Sequence, residues 1–180
     1  GRDWKRLLFF ARLKRRNAES IFAAVAEELD RANVELLSAI TFLGDCIAQP
    51  GLIAGPKLSR REEEDVSYGF EVAKAISRLD IGQTVIVKNG TVLAVEAFEG
   101  TNEALKRGAA LARTSAIMVK VAKPNQDMRF DVPVIGLETI RIAGQARLRV
   151  IALEASTTLL LERDEMIDLA ERERISIVAR

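Results

Sequence analysis

The sequence predicts an α/β protein, a mixed sheet flanked by helices, with a helical N-terminal extension. Three observations predict it. Of 180 residues, 48% are apolar and only 5% aromatic; the apolar set is mostly Ala, Val, Ile and Leu, the mixture of small helices packed on aliphatic strands. Short apolar runs alternate with amphipathic stretches through the last two thirds of the chain. Asn89-Gly90 separates two of those runs, and Asn-Gly is a strong hairpin signal because a type I′ turn needs positive φ at both central residues.

The elements follow in order. Residues 4–16 read as a basic amphipathic helix, with Trp4, Leu7, Leu8 and Ala11 at i, i+3, i+4, i+7 and Lys5, Arg6, Arg12, Lys14, Arg15 and Arg16 unrelieved by any acid. Two readings stay open there: contact with an anionic membrane surface, or a helix packed on the protein with its basic face in water. A second helix is expected over residues 18–31 and a strand over 34–39. Residues 41–58 hold Gly44, Pro50, Gly51, Gly55 and Pro56, a turn-rich stretch that reads as a linker or arm. The domain boundary is therefore expected near residue 57, with a helical arm and linker over 1–57 and the main domain over 58–180. The opening Gly1 leads straight into the apolar-basic run, as if a preceding N-terminal part were missing.

Ser59 and Glu62 form a capping-box pattern, which starts a helix running to about residue 79 with Val66, Phe70, Ala73, Ile76 and Ser77 inward. The acidic run at residues 62–65 lies in its first turn, where the helix dipole favours negative charge. Strands are expected over 84–88 and 91–95. Thr101 is the expected N-cap of a helix to about 112. A strand over 116–122 and a polar loop over 123–134 follow, then a helix over 137–147. Strands over 150–154 and 157–161, a helix over 164–172 and a last strand over 175–179 complete the chain.

Composition narrows the chemistry. Charge is balanced, 27 basic against 26 acidic residues, so no global field points to nucleic acid. The chain has no histidine and one cysteine, Cys46. Ser-His-Asp and Cys-His catalysis are excluded within it, as are ordinary zinc sites. A metal here would sit on carboxylates, which suits magnesium or manganese. A single cysteine forms no internal disulfide, in keeping with a reducing compartment. No apolar run approaches a membrane span.

Three segments carry chemistry. Asp80-Ile-Gly-Gln83 leads into the hairpin. Ala94-Val-Glu96-Ala-Phe-Glu99-Gly100-Thr101-Asn102 ends a strand and opens a helix, whose free N–H groups can hold phosphate or can simply be capped. Lys120-Val-Ala-Lys123-Pro-Asn-Gln126-Asp127-Met-Arg129-Phe-Asp131-Val-Pro133 gathers two lysines, an arginine, an amide and two carboxylates after a strand. Lys120 alternates with Val119 and Val121 and so projects from the opposite face. Strand ends of α/β sheets are common ligand sites; a solvated loop with local salt bridges is the plain alternative.

In order and spacing, these three blocks resemble the UDP-2,3-diacylglucosamine pyrophosphatases of lipid A biosynthesis, the two-domain type that works without histidine. The match covers residues 58–180 well and corresponds to the C-terminal domain. The resemblance implies cleavage of the pyrophosphate of UDP-2,3-diacylglucosamine to UMP and 2,3-diacylglucosamine 1-phosphate. It also implies Mg2+ (or Mn2+), a homodimer, and a cytoplasmic location with contact at the inner-membrane surface. Within the blocks, Asp127, Asp131 and Glu99 are the expected catalytic groups, and Asp127, Asp131 and Glu96 the expected metal ligands. Substrate is expected to meet Asp80, Gln83, Gly100, Thr101, Asn102, Lys120, Lys123, Gln126 and Arg129. Many members carry Asp where this chain has Asn102, and a methionine where it has Ala104. A nucleotide-sugar-lipid binding domain without turnover is the alternative function, and an interaction domain whose charged loop is merely solvated is a third.

Overall fold

The computed structural model describes residues 18–38, 40–124, 127–129 and 131–180. The basic helix expected over residues 4–16 lies outside them, as does Gln126. Helix α1 (Ala18–Arg31) comes first. No strand forms over residues 34–38: Val34 N returns to Leu29 O at the helix end, and Thr41 N and Leu43 N close local turns. The apolar run there has no ladder to join.

The turn-rich residues 41–58 are not a linker throughout. A short 3-10 turn (Gly44–Cys46) is followed by Ala48, which is fully buried and hydrogen-bonded through its backbone to residues 156 and 158. Strand β1 (Gly51–Ala54) then pairs antiparallel with the last strand of the chain. The sheet thus reaches across the boundary expected near residue 57.

Helix α2 (Arg60–Arg78) starts on the expected capping box: Ser59 Oγ accepts from Glu62 N, and Glu62 Oε2 accepts from Ser59 N at 2.6 Å. Strands β2 (Thr84–Lys88) and β3 (Thr91–Val95) form the hairpin, with φ of 50° at Asn89 and 71° at Gly90. Asp65 in α2 accepts both turn amides, from Asn89 N at 2.7 Å and Gly90 N at 2.6 Å, so the acidic run is structural as expected. Helix α3 (Thr101–Ala112), β4 (Ile117–Lys120), β5 (Val134–Ile135), α4 (Leu137–Gln145), β6 (Val150–Leu153), β7 (Leu159–Leu160), α5 (Arg163–Arg172) and β8 (Ser176–Ala179) follow.

Six strands make one mixed sheet in the order β1-β8-β6-β4-β2-β3, and β5 and β7 form a separate pair. Strands β4, β6 and β8 are parallel, while β2 runs against β4 and β3 against β2. One face carries Val85, Val87, Val119 and Ala152, packed under Val66 and Ala73 of α2. The other carries Ile86, Met118, Ile151, Leu153 and Ile177 with residues of α3, α4 and α5. A Cβ at Gly69 of α2 would lie 2.4 Å from Val119 Cγ2, and one at Gly108 of α3 2.5 Å from Ile86 Cβ; both helices therefore sit directly on the strands. In the hairpin, Ile86 pairs with Ala94 but Val87 pairs with Val92, which leaves Leu93 as a bulged residue.

These strand directions decide where the chemistry gathers. The ends of β3, β4, β6 and β8 and the start of β2 all lie at one edge of the sheet, since Thr84 pairs with Lys120, Lys120 with Leu153 and Leu153 with Ala179. The Asn89-Gly90 turn lies at the opposite edge.

Candidate active site

Lys120 ends β4 on the α3 side of the sheet, opposite in facing to Val119 and Val121, as alternation requires. It is 6% exposed. Its ammonium donates to Thr101 Oγ1 at 2.9 Å and to Val134 O at 3.0 Å. Thr101 in turn donates to Glu96 Oε1 at 2.9 Å and stands 3.4 Å from Thr84 Oγ1. Glu96 is 7% exposed, and its other oxygen accepts from Gln83 N at 3.4 Å. The result is a buried chain of one cation, one hydroxyl and one carboxylate. Burial pushes the Lys120 ammonium below its ordinary range, while the charges of Glu96 and Asp131 pull it back up.

This network corrects the expected cap. Gly100, not Thr101, is the N-cap of α3, without a side-chain cap. The Thr101 hydroxyl has been taken by Lys120 and Glu96 instead. The first turn of α3, with Asn102 half-buried in it, keeps its backbone donors beside the network. Among the described residues, Gln83 Oε1 is the buried side-chain oxygen that has no hydrogen-bond partner.

The loop after β4 holds the other charged groups. Lys123 pairs with Asp80 at 2.6 Å. Asp127 accepts from Arg129 N, Nε and Nη2, the last at 2.7 Å. That guanidinium holds the Asp127 carboxyl below the usual carboxylate range. The same contact raises Arg129, with a further contribution from Asp30 of α1. Asp131 N donates to Asp127 O at 2.9 Å, and Ser38 Oγ reaches Met128 O at 3.1 Å, so the segment after α1 lies against this loop.

The structure therefore brings together Gln83, Glu96, Thr101 and Lys120, with Gly100 and Asn102 alongside and the charge of Asp131 within reach of Lys120; Lys123, on the loop after β4, ties back to Asp80 after α2. It does not bring in Glu99, which is exposed and ion-paired with Arg107 on the outer side of α3; that pairing lowers its carboxyl. Asp127 is committed to Arg129. Among the described residues no group of three or more carboxylate or thiol ligands is placed to hold a metal, so Asp127, Asp131 and Glu96 do not form one ligand set. Of the three, Glu96 and Asp131 are the carboxylates whose charges reach Lys120, and magnesium, where a protein holds it, usually takes one or two carboxylates together with substrate phosphates.

Sequence reasoning missed Thr84, Lys74, Arg107 and Glu154. Glu154 carried a readable signal, an acid directly after an apolar strand at the sheet's ligand end.

A mixed α/β sheet that collects buried Lys120, Glu96 and a loop of paired charges beside a helix start defines an α/β domain with a cluster of charged groups at its strand ends. A model of one family, the LpxI C-terminal domain, matches residues 49–178, and the chain belongs to that family. It is similar to the UDP-2,3-diacylglucosamine pyrophosphatase LpxI of Caulobacter vibrioides, 33% identical over an alignment of 165 residues that covers 87% of this chain and 59% of that protein. The chain thus spans about three fifths of the length of that curated relative. A solved structure, the dCMP deaminase from the cyanophage S-TIM5 in complex with dCMP and dUMP, covers 69% of this chain and all of its own, at 14% identity and a TM-score of 0.39. Nothing follows from a likeness that weak.

Proposed function

We propose that this chain hydrolyses the pyrophosphate of UDP-2,3-diacylglucosamine, giving UMP and 2,3-diacylglucosamine 1-phosphate in lipid A biosynthesis. The observation that carries this is the 33% identity, over 87% of the chain, to a protein named for that substrate. The site chemistry agrees with it. Hydrolysis adds water to one phosphorus, breaks one bridging P–O bond and leaves a second phosphate that must be stabilised as an anion. Lys120, Lys123 and Arg129 are cations suited to that developing charge, with the N–H groups of the first turn of α3 as further donors to the anion. Asp131 is the carboxylate we assign to take the water's proton, with Asp127 orienting Arg129 toward the phosphates.

Magnesium, or manganese, is proposed on Glu96 and Asp131. Bound there it would offset phosphate charge and lower the pKa of a water. Asp80, Gln83 and Gln126 are proposed contacts for the polar parts of the substrate. Helix α1, with Phe22 and Val25 part-exposed, is the proposed surface for a homodimer. No helix among the described residues is long and apolar enough to cross a membrane; a cytoplasmic place, with contact at the inner-membrane face where a lipid substrate resides, is part of the same proposal.

The test is incubation of the purified chain with UDP-2,3-diacylglucosamine and magnesium, with and without EDTA, followed by quantifying UMP and the lipid phosphate. Equimolar release of both products is expected, abolished by EDTA. Binding of the UDP-lipid with no UMP formed in magnesium, or in manganese put in its place, would replace this reading by the binding-domain one.

A further inference from the structure

The chain leaves the sheet just after β4. Val121 N still donates to Gln83 O at 2.9 Å, but Ala122 has no further strand ladder. Ala122 is nevertheless buried, so its backbone N–H and C=O both need partners. One ion pair supplies them. Ala122 N donates to Glu154 Oε2 at 2.7 Å. Lys74 Nζ donates to Ala122 O at 3.4 Å and to both oxygens of Glu154 at 2.6 Å.

The two charges come from different layers, Lys74 from α2 and Glu154 from the residue after β6. The Glu154 side chain is 22% exposed and that of Lys74 36%, which leaves them reachable by water at their edges only. Glu154 is itself fixed, since its N–H donates to Lys120 O and its carbonyl accepts from Thr157 and Thr158. Immediately after the gripped peptide come Lys123, paired with Asp80, and Pro124. Proline fixes its own φ and restricts the residue before it. A direction set at Ala122 is therefore passed on through Lys123 and Pro124, where the segment that carries Asp127, Arg129 and Asp131 begins.

We infer that Lys74 and Glu154 are positioning residues, a charged clamp on Ala122 that sets how the loop of residues 123–133 leaves the sheet. Although Glu154 stands at a strand end, where a carboxylate invites a catalytic role, both its oxygens are occupied by the clamp. The consequence for turnover rests on the hydrolase reading above; the consequence for the loop's order does not.

Two measurements on Glu154→Ala, Glu154→Gln and Lys74→Met separate these. In amide hydrogen exchange without substrate, Glu154→Ala is expected to speed exchange at Ala122 and across residues 121–133 by about tenfold or more, the release of a local unit, while residues 84–95 keep the parental rate. Glu154→Gln, which retains an acceptor for Ala122 N, should fall between. With UDP-2,3-diacylglucosamine, Glu154→Ala and Lys74→Met are expected to lower kcat by about 10–100-fold through misplacement of reacting groups, with KM changed less than about threefold, and Glu154→Gln should restore much of the rate. Should Glu154→Ala fail to fold, Lys74→Met and Glu154→Gln carry both measurements. If the parent protein forms no UMP, the hydrolase reading fails and the exchange result alone decides the clamp. Loop exchange equal to the parent's in folded variants, or exchange that rises equally in the hairpin, would overturn it.

Discussion

Lys120 Nζ donates to Thr101 Oγ1 at 2.9 Å and so joins the last residue of β4 to the first residue of α3. The same hydroxyl donates to Glu96, which makes a single oxygen the link between a buried cation and a buried carboxylate.

Thr101→Val keeps the shape and removes that oxygen. Lys120 then loses an acceptor and Glu96 a donor in a buried place, which should cost about 1–3 kcal/mol. Thr101→Ser should stay within roughly 0.5 kcal/mol of the parent. Urea unfolding reads both. A Thr101→Val midpoint equal to the parent's would mean the hydroxyl carries no such link.

Lys120 also gives stability a pH dependence. Burial depresses its folded-state pKa below the ordinary 10.5. Between that depressed value and 10.5 the unfolded chain binds more protons, so stability rises with pH across this window and the burial cost stays constant below it. Lys120→Met should remove the rise. Denaturant midpoints measured against pH for both proteins test it, and parallel curves would contradict it.

The Asp127–Arg129 pair predicts a second rise of stability with pH, of the same sign, in acid. Asp127 titrates below its ordinary 3.8, so its contribution is present above 3.8 and is lost as pH falls through the depressed value. Arg129→Lys cannot reproduce the two-pronged contact. In that variant the Asp127 carboxyl, followed by NMR, should titrate closer to 3.8. An unmoved titration would show that lysine replaces the contact.

Under the proposed function, Asp131→Ala should lower turnover by about 10²–10⁴-fold, the usual worth of a general base, while the protein folds and still binds the UDP-lipid. Asp127→Ala should lower it less, because it acts by orienting Arg129. Single-turnover rates of the two variants make the comparison. Equal, parental rates would move the acid-base chemistry away from this loop.

The hairpin has its own test. Gly90→Val forces a β-branched residue to φ near 71°, and Asp65→Ala strips the acceptor from two turn amides. Each should destabilise by about 1–3 kcal/mol. A thermal midpoint unchanged in both would show that the turn does not need either residue.

What the sequence made legible was chemistry closed within a few residues. Asn89-Gly90 and the Ser59–Glu62 box carry their reasons locally, and both stand as read. The facing of Lys120 followed from the alternation of its neighbours. The cap of α3 was misread because the Thr101 hydroxyl is claimed by Lys120, 19 residues away, a competitor that no local pattern reveals. Strand β1 was hidden among turn residues because its partner β8 ends the chain. The role of Glu154 depends on Lys74, 80 residues earlier. Asp127 was expected as a catalytic group and ligand, with local salt bridges in its loop as the plain alternative; the structure pairs it with Arg129.

The bulge at Leu93 has a consequence for Glu96. Counting back from the turn without it, Val95 would stand opposite Thr84 and Glu96 one place further along. With it, Glu96 N donates to Thr84 O at 2.8 Å, and Leu93 and Ala94 both lean into the core under α3. A one-residue shift in a strand displaces a side chain by about 3.3 Å and turns it to the other face. The acid that completes the Lys120 network is thus placed by a surplus aliphatic residue three positions before it. Deleting Leu93 would keep every site residue in the chain and yet turn one of them away.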